Sequence, residues 1–185
     1  PPGLSFISVS KKAWEACEKS NLPKFYLDLK YYKKSLNNNS NPYTPAVNLV
    51  FALEESLKMM QEEGLEKIFQ RHEKHKLAVS NAIQALNLKL FAKSDSLSPS
   101  ITAIESTQID AEAFRKIIKD KYDILLAGGQ DHLKGKIFRV GHLGYVNDRD
   151  IMTVVSAIGL TLLKQKLIST EDVGKALQIA ENYLL

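Results

Sequence analysis

Between Ala127 and Gly144 the chain reads AGGQDHLKGKIFRVGHLG. Two adjacent glycines, a basic loop, a short apolar run and two further glycines leave this segment few options. It reads as strand end, tight turn, loop, strand and turn again. One residue in the run is out of character. Arg139 stands between Phe138 and Val140, and a guanidinium in an apolar strand cannot stay bare, because an unpaired buried charge costs more than its packing returns. It pairs with an internal carboxylate, or it awaits one carried by a ligand. The residues alone leave both possibilities open.

At 185 residues the chain is long enough to bury a core without disulfides or metal. The single cysteine, Cys17, excludes an internal disulfide framework and fits a reducing compartment. The net charge of +4 is scattered over short lysine groups, which argues for a solvated surface and against a nucleic-acid face. No apolar run approaches the roughly 20 residues that span a bilayer. Asn38-Asn39-Ser40 matches a glycosylation acceptor, but no signal peptide accompanies it. The expected setting is cytoplasmic.

Along the chain, Pro1-Pro2-Gly3 marks a turn and Leu4 to Val9 alternates as a strand does. Ser10 is the expected N-cap of a first helix. Phe25, Tyr26, Tyr31 and Tyr32 form an aromatic group expected to pack as core. Asn37 to Pro42 is a polar loop whose asparagines suit left-handed backbone. Tyr43-Thr44-Pro45 then places a proline in the first turn of a helix, with Thr44 as its cap. Such a helix start also suits an anion. Val50, Leu53, Leu57 and Met60 form one helical stripe, which Gly64 interrupts. A longer helix follows from Leu65 to Leu86, with His72 and His75 expected on its surface. After Asn87 the period shortens. Leu88–Phe91, Ile101–Ile104, Tyr122–Leu126 and Ile137–Val140 read as strands, and Asp110, Asn147 and Ser169 as caps of three further helices, Ser169 in a capping box with Asp172. This order predicts an α+β fold, a small antiparallel sheet with helices on one face.

Three motifs fail on inspection. A phosphate loop ending at Gly135-Lys136 would need glycine at position 130 and a hydroxyl at 137, where Gln130 and Ile137 stand. Gly141 and Gly144 give no dinucleotide fingerprint. His72 and His75 are three apart, not the four of a zinc-protease helix. Gly128-Gly129 is expected to permit close backbone approach or a positive φ.

The segments PPGLSFISVS, FYLDL, YTPAVNL, GLEKIFQRHEKH and AGGQDHLKGKIFRVGHLG resemble the C-terminal part of the class V, pyridoxal-phosphate-dependent aminotransferases, in the alanine–glyoxylate and serine–glyoxylate branch. The wording is nearest to cyanobacterial-type members, some of which carry the name soluble hydrogenase subunit. One cysteine cannot supply the ligation that hydrogen activation requires; the reaction that the resemblance implies is transamination. The resemblance implies that Arg139 grips the α-carboxylate of an amino acid or keto acid, a task its planar fork suits better than a lysine would. It implies that Thr44 reaches across a homodimer to the phosphate of the neighbouring subunit's pyridoxal 5'-phosphate. The family's tyrosine three positions earlier is here Asn41, with Tyr43 beside Thr44, so Thr44 carries over most cleanly. It further implies that PPGLSFISVS follows the cofactor lysine, and that no lysine of this chain fills that role. Residues 1–63 are then expected to be the remnant of a large cofactor domain with its linking helix, and residues 64–185 the small domain. Two other classes stay open. One is a non-catalytic dimerisation module; the other is a cysteine desulfurase, which would need a reactive cysteine after Cys17, where none lies.

Overall fold

Side-chain caps set most helix starts, and those at Ser10, Asp110, Asn147 and Ser169 fall where the sequence places them. The computed structural model describes residues 3–185, so the turn assigned to Pro1-Pro2-Gly3 begins outside the described residues. These residues divide into two compact units, 3–63 and 64–185.

In the first unit, Ser10 accepts from the Ala13 N–H at the start of α1 (Lys11–Lys19), and Asp28 accepts from the Lys30 N–H at the start of α2 (Leu29–Asn37). Asn39 takes up left-handed backbone at φ 51°, as its loop requires. The third helix, α3, runs Val47–Glu63. Its first i→i−4 bond goes from Val50 N–H to the Ala46 carbonyl, so Ala46 holds the cap position that was expected for Thr44. Leu4 to Val9 is not a strand. Those residues are irregular and largely exposed, because alternation alone cannot supply the backbone partners that a strand needs. None of the three helices has a buried residue, and Phe6, Leu27 and Phe51 stand more than half exposed. The aromatic group therefore clusters on Tyr43 without forming a core; Phe25 and Tyr26 stay exposed.

The second unit holds the core. Gly64, at φ 85°, precedes α4 (Leu65–Ala85). Asp110 caps α5 (Ala111–Tyr122) through two backbone N–H groups, and Asn147 and Ser169 open α6 (Asp148–Lys164) and α7 (Thr170–Leu184), each with a complete capping box. Three strands, β1 (Ile101–Glu105), β2 (Ala127–Gly128) and β3 (Ile137–Gly141), form an antiparallel sheet in the order β1-β3-β2. Ile104, Phe138 and Val140 face the helices and join the core with Val79, Ile83, Phe114, Ile118, Ile158 and Leu162. This is the predicted α+β arrangement, a small antiparallel sheet packed against helices.

Two expected strands shrink. Leu88–Phe91 contributes a single bridge, Leu90 to Ile104, at the sheet edge. At Tyr122–Leu126 the helix keeps Tyr122 and ends at Asp123 in the left-handed region (φ 55°), leaving only Ala127 and Gly128 to pair. The helical hydrogen bonds of α5 are local and continue through Tyr122 until the left-handed turn stops them.

Candidate functional site

Strand alternation puts Arg139 on the sheet face opposite Phe138 and Val140. Its direct cross-strand neighbours are Ala103 on β1 and Ala127 on β2. Two alanines, each with only a methyl side chain, therefore flank it. Nε donates to the Gly128 carbonyl at 3.0 Å. Among the described residues Arg139 makes no other hydrogen bond and pairs with no carboxylate. Arg139 is half-buried as a residue, and its guanidinium is aimed by one bond through Nε, with its two terminal nitrogens uncommitted among the described residues. Such a fork can accept a carboxylate bidentately.

The surroundings of this strand are tightly specified. A Cβ on Gly129 would run into the Leu133 carbonyl and approach Ile137 Cγ1 to 3.1 Å, so the double glycine serves close backbone approach. A Cβ on Gly128 would meet Arg115 Nη1 at 2.5 Å and Glu112 Oε1 at 3.0 Å. Beyond Arg139, His142 is fully buried. Its Nδ1–H donates to the Pro99 carbonyl at 3.1 Å and Nε2 accepts from the Thr102 hydroxyl at 2.9 Å, tying the end of β3 to β1. Burial pushes this imidazole down to about 4 from its ordinary 6.5, against the Pro99 carbonyl, which acts the other way.

The histidines expected on the surface of α4 are both buried. His72 donates through Nδ1 to the Ile68 carbonyl at 2.7 Å, and its Nε2 accepts from the Gly144 N–H at 3.1 Å, where Gly144 turns at φ 84°. His75 Nε2 meets Asp148 Oδ1 at 2.8 Å, while Asp148 Oδ2 takes Lys74 Nζ at 2.9 Å. Burial lowers the His75 imidazole, and the Lys74 and His75 partners hold the Asp148 carboxyl below its ordinary value despite desolvation. A helical stripe that includes two histidines looks polar in sequence. Polar partners on the loop after β3 and on the first turn of α6 make it interior.

Asn41, Tyr43 and Thr44 belong to the first unit and share one loop. Asn41 and Thr44 are exposed. Tyr43 is half-buried, stacked on Tyr26 at 4.5 Å between ring centres, and its hydroxyl donates to the Phe25 carbonyl at 3.3 Å. Desolvation, then Tyr32 and Tyr31, push its phenol above the ordinary range. Among the described residues no group of three or more histidine, cysteine or acidic side chains is placed to hold a metal ion, and no helix is long and apolar enough to cross a membrane. The strongest signal that sequence reasoning missed is Arg115. Its pairing with Glu112 three residues earlier was legible on a helix; its reach to β2 was not.

No family model matches this chain. Curated proteins do. The small subunit of a soluble hydrogenase from a Synechococcus species is 56% identical over 162 residues, 88% of this chain and 42% of that protein. Serine–glyoxylate aminotransferase from Methylorubrum extorquens is 33% identical over 191 residues, all of this chain and 47% of the enzyme. Among solved structures, ureidoglycine–glyoxylate aminotransferase from Bacillus subtilis superposes with a TM-score of 0.84 at 29% identity, over 94% of this chain and 46% of that one. The chain spans less than half the length of each of these three relatives.

Proposed function

The chain belongs, over the portion it spans, to the class V aminotransferases of the glyoxylate branch, and from that premise we propose that it is the C-terminal portion of an enzyme moving an amino group from alanine or serine to glyoxylate or a similar keto acid. The observation that carries the reading is Arg139, a half-buried residue whose guanidinium is aimed by the Gly128 carbonyl and paired with no carboxylate among the described residues. Both the amino acid and the keto acid present an α-carboxylate. A bidentate grip on it fixes the neighbouring carbon and leaves the amino or keto group free to react.

Pyridoxal 5'-phosphate, when bound, supplies the electron sink of transamination. The residues here fit its phosphate: Thr44 and Asn41 expose a hydroxyl and an amide, donors suited to phosphate oxygens, while Tyr43 is a protonated phenol already committed to Phe25. In this reading Thr44, with Asn41 and Tyr43 beside it, faces the cofactor of a neighbouring subunit in a homodimer. Residues 1–63 are the remnant of the large cofactor domain, and 64–185 are the small domain. The absence of any buried residue in α1, α2 and α3 supports this, since helices with exposed apolar faces are built to be covered. The chain by itself lacks transaminase activity, because the family resemblance assigns it no cofactor lysine.

The test compares residues 1–185 with the full-length protein that carries them, by size exclusion, a cofactor absorbance scan and keto-acid-dependent amino transfer. The full-length protein is expected to elute as a dimer, hold cofactor and transfer the amino group; the chain alone is expected to do none of this. Cofactor-dependent transfer by residues 1–185 alone, abolished by one lysine substitution within them, would refute the reading.

A further inference from the structure

We propose that Arg115, held by Glu112, is a positioning residue for Arg139, setting the direction of its guanidinium through the backbone of β2. The inference rests on the reading of Arg139 as the carboxylate anchor. Arg139 takes its aim from one hydrogen bond, Nε to the Gly128 carbonyl at 3.0 Å. Where that carbonyl sits therefore decides where the fork points. Gly128 belongs to a strand of only two residues at the edge of the sheet, and so short an edge is prone to fray.

The ladder geometry shows what holds it. The Gly129 N–H donates to the Ile137 carbonyl at 3.1 Å, so by antiparallel alternation the carbonyls of Gly128 and Leu126 point away from β3, toward the free edge of β2. Each is taken by an arginine. Arg139 reaches across β2 to the first. Arg115, from α5, donates its Nε to the second at 2.8 Å. The Arg115 fork also lies against the Gly128 Cα: a side-chain carbon there would come within 2.5 Å of Nη1 and 3.0 Å of Cζ. Thus Arg115 grips the residues on both sides of Ala127, the direct neighbour of Arg139.

The two arginines divide the electrostatic work. Arg115 Nη1 meets Glu112 Oε2 at 2.6 Å, so its charge is neutralised within α5. Arg139 has no such partner among the described residues. One guanidinium is spent on holding the strand, and the other is left for an incoming anion. A substrate carboxylate bound to Arg139 is held alike before and during reaction, so misaiming it removes uniform binding, which appears in KM more than in kcat.

The experiment uses the full-length holoenzyme with glyoxylate as the keto acid. Arg115→Met keeps the aliphatic stem but removes the donors. It is expected to raise KM for glyoxylate roughly tenfold, the scale of one misplaced charge-assisted hydrogen bond, with kcat changed by less than about twofold. Exchange of the Arg139 Nε proton, followed by NMR, should quicken as the Gly128 bond loosens. Gly128→Ala pushes the Arg115 fork aside without removing a charge and should raise KM in the same direction, which keeps the test decisive even if Arg115→Met fails to fold. Arg115→Lys retains charge but cannot both donate to Leu126 and lie flat on Gly128, so it should not restore KM. Restoration by lysine would overturn the positioning role in favour of a simple field effect. An unchanged KM in Arg115→Met and Gly128→Ala, with a raised KM in Arg139→Lys, overturns it while leaving the anchor standing. An unchanged KM in Arg139→Lys removes the anchor itself and this inference with it.

Discussion

Acidification from pH 7 to pH 5 should weaken the second unit through His142. In the folded protein burial holds this imidazole at about 4, against an ordinary 6.5. Between those values the unfolded chain carries a proton on this residue and the folded chain does not, so stability rises with pH and is lost as pH falls through 6.5 toward 4. Integrating one site with those two values gives a loss of about 2 kcal/mol from pH 7 to pH 5 and about 3 kcal/mol by pH 4. The structural cost is visible: a second proton on the ring would deprive Nε2 of the lone pair that accepts from the buried Thr102 hydroxyl. His75, also lowered by burial, acts in the same direction, so the wild-type slope alone cannot isolate His142. His142→Gln can. A glutamine donates to the Pro99 carbonyl and accepts from Thr102 without titrating. Urea denaturation at pH 7, 6 and 5 should show the variant losing about 2 kcal/mol less over that range than the wild type. Equal losses in the two proteins would refute the assignment.

Gly129→Ala forces a carbon into the Leu133 carbonyl and should cost several degrees of melting temperature, more than Gly128→Ala, whose new carbon meets only the movable tip of Arg115 and the side chain of Glu112; equal costs would contradict the geometry. Asp110→Ala removes the acceptor for two backbone N–H groups at the start of α5 and should cost about 1 kcal/mol in urea denaturation, whereas Asp110→Asn should recover most of it.

Much of the second unit was legible because its signals are local. Asp110, Asn147 and Ser169 announce helix starts through side chains that reach two or three residues, and the Phe138–Val140 run needs only period two to become a strand. Ser10 works in the same way in the first unit. The failures share a different cause. Leu4–Val9 has the alternation of a strand and no partner to pair with. Thr44 has the chemistry of a cap but lies two residues before the position that α3 uses. His72 and His75 look like surface residues until Gly144 and Asp148, some seventy residues away in sequence, arrive as partners. At the candidate site, the oddness of Arg139 was written in its apolar neighbours. The lack of a paired carboxylate among the described residues, and the grip of Arg115 on Leu126 and Gly128, are consequences of tertiary packing, which no spacing in the sequence encodes.

The most direct test of the central claim is Arg139→Lys and Arg139→Ala in the full-length holoenzyme, with melting temperature and steady-state kinetics measured on the same preparations. Lysine keeps the charge and loses the paired hydrogen bonds; alanine also leaves the substrate anion without a counter-charge. Losing one partner of such a pair costs about 2–5 kcal/mol, so kcat/KM for the alanine variant should fall by roughly one and a half to three and a half orders of magnitude. Melting temperature should change little, because among the described residues Arg139 holds only the Gly128 carbonyl. A variant that melts early yet keeps the wild-type kcat/KM would contradict the account and make Arg139 a structural residue.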